Sequence, residues 1–164
     1  MSKIPDLLTH VLIGLSVALV LKGSIKNESS TMILLGSILP DVERPFTWLL
    51  EFLGLENVGL TPSFHSILGV LLLSFAAASL FDTNTLSREQ RFLYLLLGCS
   101  THLLLDMTMY PWTELGLFLL FPLRQSFSFH LLWPDYPFYP LFGLAVFLLS
   151  LLYVKLKPIL ARRR

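Results

Sequence analysis

Charge is the scarcest ingredient of this sequence. Asp, Glu, Lys and Arg make up 14% of its 164 residues, where an ordinary soluble domain carries about 25%. Hydrophobic residues make up 54%, and the mean hydropathy is +0.70. A chain this short cannot hide so much apolar surface in one core, so the surrounding medium is expected to be lipid. A net charge of +1 leaves no basic field for nucleic acid. Cysteine is nearly absent as well. Cys99 alone excludes an intramolecular disulfide and a Cys-rich zinc cage, and its apolar neighbours make it a packing residue. The first residues lack a basic n-region and an A-x-A cleavage site, so the run Leu7–Leu21 reads as a retained helix. With no internal repeat and no soluble linker, residues 1–164 read as one integral-membrane domain.

Long apolar runs are what the chain has instead. Leu7–Leu21, Phe64–Phe81, Phe92–Met109 and Phe138–Val154 are candidate spans, each near the lower length limit for a ~30 Å hydrocarbon core. Thr31–Leu39 is too short to cross alone; it stops at Pro40-Asp41 and resumes as Phe46–Leu55, the pattern of a broken helix. Such breaks are tolerated where protein or a water-filled cavity covers them. Leu115–Leu123, ending around Pro122, suits a re-entrant or interfacial segment. The expected fold is an all-α, polytopic bundle with about five membrane segments. Nine cations fall on one side of it: Lys22, Lys26, Arg88, Arg91, Lys155, Lys157, Arg162, Arg163 and Arg164. Three fall on the other: Lys3, Arg44 and Arg124. The positive-inside rule then puts the N-terminus outside and the C-terminus in the cytoplasm. The aromatic stretch Phe127–Tyr139 reads as a belt at the outer interface.

Ionisable residues at membrane depth are costly and therefore mark function. Here they are His10, Asp41, His65, His102 and Asp106. At ~1.5 Å per helical residue they lie between ~15 and ~24 Å from the basic end of their segments. Segments far apart in sequence thus bring all five to the outer half of the bilayer. His102 and Asp106 are spaced i,i+4 and share a helix face, and Asp6 and His10 repeat the spacing. A His and a carboxylate one turn apart either both bind a metal or orient one another around it. Three His and two Asp suffice for one or two ions; without thiol ligands the set suits zinc, manganese or iron better than Cu(I), and zinc is the first choice. Asp6 is a further ligand or a proton acceptor, and Glu43, two residues after Asp41, is a proton-acceptor candidate. His130 and Arg124, beside the aromatic belt, suit interfacial and lipid-facing roles. Gly14, Gly36, Gly69 and Gly98 suit close packing between helices.

Four motifs resemble the membrane-bound metal-dependent hydrolase family typified by the YdjM inner membrane protein. They are Asp6-x-x-Thr9-His10-x-x-x-Gly14, Gly36-Ser37-x-x-Pro40-Asp41, the pair His65-Ser66 opening a span, and Gly98-x-x-x-His102-x-x-x-Asp106 with a later Phe121-Pro122. Family members usually continue the second motif with x-Asp, where this chain has Glu43. They often carry His-Arg-Gly ahead of the third motif's Thr-His, where this chain reads Leu60-Thr61-Pro62 and Ser63-Phe64-His65. The resemblance implies a metal-dependent hydrolase in the cell membrane. Site depth adds the expectation of a lipid or lipid-linked ester or phosphoester reached from the outer leaflet. A transporter or metal-handling protein using the same residues is the competing expectation, because broken helices and ion ligands within the bilayer also occur in transporters.

Overall fold

The computed structural model describes residues 7–22, 24–55, 60–108, 117–123, 125–127, 129 and 138–161. Regular structure among them is helical, in the order α1 (Leu7–Leu21), α2 (Asn27–Ile38), a 3-10 turn (Leu39–Glu43), α3 (Arg44–Phe52), α4 (Leu60–Phe64), α5 (Ile67–Leu80), α6 (Arg88–Thr108) and α7 (Phe138–Ala161). Proline sets the break after α2. Pro40 has no N–H to give and crowds the residue before it, so the α-helix stops at Ile38 and tightens into the 3-10 turn. Pro45 then occupies the first turn of α3, where a missing N–H costs nothing. Ser66 caps α5, its Oγ accepting from the Gly69 N–H at 3.0 Å. Ser87 and Gln90 form a reciprocal capping box ahead of α6, at 3.3 and 3.1 Å.

α6 is the hub of the bundle: α2 packs along it most extensively, and α5 packs on it as well. Two small cores form at these contacts. One is Met32, Ala77, Ala78, Leu86 and Leu95; the other is Val70, Cys99 and Leu103. The backbones of α2 and α6 meet at Gly36 and Gly98. A Cβ on Gly36 would strike the Leu95 carbonyl oxygen, and one on Gly98 the Ile33 carbonyl oxygen. α1 reaches α2 where Gly14 meets the Ser37 side chain, and Gly69 lies against the Ser63 carbonyl. All four expected packing glycines are thus in close approach, and Cys99 is buried as expected, beside Ser74.

The two ends of the bundle differ in kind. Lys26 Nζ donates to the Thr85 carbonyl at 2.6 Å, and the Thr85 hydroxyl donates to Glu28, which ties the α1–α2 connection to the α5–α6 connection. Gly143, near the start of α7, sits against Thr9, near the start of α1, and the helices pack along one another, so α7 runs parallel to α1. Lys22, Lys26, Arg88, Lys155 and Lys157 therefore share one end. Arg91 belongs there too, but it is buried. Its guanidinium donates to the Ala78 and Leu86 carbonyls and to Asp82 at 2.9–3.1 Å, fixing the α5–α6 connection.

Several expected boundaries move. α2 begins at Asn27 and α6 at Arg88, earlier than the apolar runs, and α7 continues to Ala161. The span expected over Phe64–Phe81 starts at Ile67, because the Ser66 cap interrupts it and leaves His65 in the break. The described part of Leu115–Leu123 is not helical: Leu117 pairs with Phe127 at 2.8 and 3.1 Å, and the Leu119 carbonyl accepts from the Ile67 N–H. α7 is the helix long and apolar enough to cross a membrane, over Phe138–Pro158; α1 and α5 are apolar but shorter. Large side chains on α5 and α7, among them Leu72, Phe75, Leu148 and Leu149, face outward. Surface of this kind on a lone soluble molecule would be an association site. Lys3, Asp6, Arg124, His130, Arg162, Arg163, Arg164 and most of the aromatic stretch lie outside the described residues.

Candidate metal centre

His10, Asp41, His65, His102 and Asp106 meet at the end of the bundle opposite Lys22, Lys26, Arg88, Lys155 and Lys157. They arrive from four pieces of local structure. Gly98, His102 and Asp106 follow one another at i,i+4 down one face of α6. Because Gly98 lets α2 come close, the next turn of α6 puts the His102 ring against the end of α2. His102 Nδ1 lies 2.7 Å from the Ser37 carbonyl oxygen. On α1 the Gly14 contact does the same job. One turn earlier His10 stacks on His102, ring centroids 3.8 Å apart and planes 16° from parallel. The 3-10 turn delivers Asp41, and the break before α5 delivers His65.

The contacts run between imidazole Nε2 atoms and carboxylate oxygens. His10 Nε2 is 3.2 Å from Asp106 Oδ1, and His102 Nε2 is 3.2 Å from Asp106 Oδ2. His65 Nε2 is 3.4 Å from Asp41 Oδ1, 3.8 Å from Asp106 Oδ2 and 3.3 Å from His102 Nε2. Four of the five are buried, and the Asp106 side chain keeps 15% exposure. His10 Nδ1 and Asp41 Oδ2 are buried without a hydrogen-bond partner, and His10 Nε2 faces only the Asp106 carboxylate. A buried polar atom left without a partner costs roughly 1–3 kcal/mol. A cation at the convergence point would engage His10 Nε2 and Asp41 Oδ2, so the donor set fits a divalent metal of the zinc, manganese or iron class.

Glu43 is buried on the same turn as Asp41, and its carboxylate accepts a hydrogen bond from the Thr47 hydroxyl; it is outside the two ligand groups. Asp6 lies outside the described residues. Two partners were not anticipated from the sequence. Arg44 Nε donates to Asp41 Oδ1 at 2.9 Å; the i,i+3 spacing from Asp41 was the available signal. The Ser37 carbonyl is a main-chain group, and sequence carries no signal for it. Near the site, the Phe129 N–H donates to the Met107 carbonyl at 2.7 Å, which brings the segment after Leu117 down on the end of α6.

The model of the family described as YdjM inner membrane protein covers residues 6–162. No curated protein and no solved structure matches.

Proposed function

The chain belongs to the YdjM inner membrane protein family, and from that premise we infer that it is an integral-membrane, metal-dependent hydrolase acting on a lipid or lipid-linked ester or phosphoester. One observation carries the reading. Three histidines and two aspartates from four segments converge in a buried place, where His10 Nδ1 and Asp41 Oδ2 are left without hydrogen-bond partners. Uncompensated groups of this kind are hard to keep at membrane depth unless they serve an ion or a proton path.

In this reading His10, Asp41, His65, His102 and Asp106 hold the metal. A bound divalent ion supplies Lewis acidity and makes water a competent nucleophile near neutral pH. The Ser37 carbonyl holds the His102 ring so that Nε2 faces the centre, and Arg44 steadies the Asp41 carboxylate. Glu43 is the proton acceptor we favour, with Asp6 as the alternative. The bundle crosses the membrane about five times, counting α2, the 3-10 turn and α3 as one broken segment. Gathering of the cations at one end supports placing that end in the cytoplasm and the metal centre toward the outer leaflet. A cysteine placed at Ser24, in a Cys99→Ala background, is then expected to resist a membrane-impermeant thiol reagent in intact cells; labelling there would reverse the orientation.

The reading is tested by incubating purified protein with zinc, manganese or iron and phospholipid vesicles. Wild type is expected to release product, and His102→Ala to release none while keeping its helical circular dichroism. Metal-dependent flux across sealed vesicles with no product would favour a transporter instead.

A further inference from the structure

The ligand atoms form two overlapping groups, His10–His102–Asp106 and Asp41–His65–His102, each with its atoms within 4.8 Å of one another. Two groups of three suggest two ions. The shared residue decides against that. His102 Nδ1 sits 2.7 Å from the Ser37 carbonyl oxygen. A carbonyl only accepts, so Nδ1 carries a hydrogen, and in the neutral ring Nε2 is left with the single free lone pair. That lone pair can bind one ion. If His102 serves the ion beside Asp41 and His65, then the other group keeps only His10 and Asp106. If it serves the ion beside His10 and Asp106, Asp41 and His65 are left alone.

The spacing agrees. Bonds of ~2.0–2.2 Å to one ion place neighbouring donors roughly 3.0–3.6 Å apart. Of the five contacts described above, four fall in that range, at 3.2, 3.2, 3.3 and 3.4 Å, and the His65–Asp106 contact is wider at 3.8 Å. A two-ion site separates its metals by ~3.5–4 Å and needs a full set of donors around each. All three imidazoles also present Nε2 to the contacts, as the ligands of a single centre would.

The geometry points to a mononuclear centre, in which the two groups are halves of one coordination shell joined through His102 Nε2. This rests on the metal reading above and adds the number of ions and the ligand they share. Its consequence is mechanical: one ion ties α1, the 3-10 turn, the break before α5 and α6 to a single point. His10 and Asp41, which belong to different groups, then serve the same ion.

The test is a manganese titration of detergent-purified wild type, His10→Ala and Asp41→Ala, read by paramagnetic resonance and elemental analysis. Wild type is expected to saturate at one equivalent, with the spectrum of an isolated ion. Each variant is expected to lose that ion at equimolar metal. Two equivalents in wild type, with a spin-coupled spectrum or with one ion kept at full affinity in each variant, overturn the mononuclear centre and leave the metal reading standing. No binding by wild type overturns both. The wild-type stoichiometry and spectrum decide the question even where a variant fails to fold.

Discussion

At the scale of the residue, the metal centre is a matter of which atoms have something to do. His102 has both ring nitrogens engaged, one on a main-chain carbonyl and one on the cluster. His10 is held by stacking and by the Asp106 carboxylate, and its Nδ1 has no hydrogen-bond partner. The five candidate ligands were legible in the sequence because polar residues inside apolar runs are conspicuous and His102 and Asp106 share a helix face. Their partners were less so. Arg44, one of the three cations assigned to the outer side, bonds Asp41, and Arg91, one of the nine assigned to the other side, is buried. A cation's place in a loop does not reveal which carbonyls it will find once the helices pack. The residue whose chemistry is most in question is Glu43. If it accepts the proton, Glu43→Gln should retain the metal and lose turnover by about 10²–10⁴-fold, the range for general-base catalysis. Undiminished turnover in the same vesicle assay would pass the role to another group.

At the scale of the element, two glycines and two helix breaks put the site together. The α2–α6 crossing at Gly36 and Gly98 sets the distance from Ser37 to His102, so the crossing and the site are coupled. Gly98→Ala would push a methyl group into the Ile33 carbonyl and force the helices apart. Overpacking of this order costs about 1–3 kcal/mol. The expected result is a lower melting temperature in detergent together with weaker metal binding. A variant with the wild-type melting temperature would show that the crossing has more room than the backbone contact allows. The glycines and the Pro40 break were readable because both act through local backbone chemistry. The break at His65 was not, because Phe64–Phe81 is continuously apolar and only the Ser66 cap divides it. The non-helical path of the described part of Leu115–Leu123 was hidden for a different reason. Its backbone pairs with Phe127 and with the start of α5, and a hydropathy pattern does not contain such long-range partners.

At the scale of the whole molecule, the bundle has a basic end and a His/Asp end, with apolar side chains facing outward between them. The all-helical class followed from composition and run length. The number of crossings did not follow in the same way: among the described residues α7 alone reaches membrane length as an apolar helix, whereas α1 and α5 are short and α6 carries His102 and Asp106 within its length. Short, polar-interrupted helices are expected of a bundle that encloses a site, since the site displaces the lipid-facing pattern. The account as a whole depends on the cluster being a metal centre. The most direct measurement is elemental analysis of protein purified without chelator, wild type beside His102→Ala, with both shown to be folded. The account expects zinc, manganese or iron to copurify with wild type and to be missing from the variant. A folded wild-type protein that carries no metal and takes none up would contradict it, and would make the buried histidines and aspartates a hydrogen-bonding or proton-handling network.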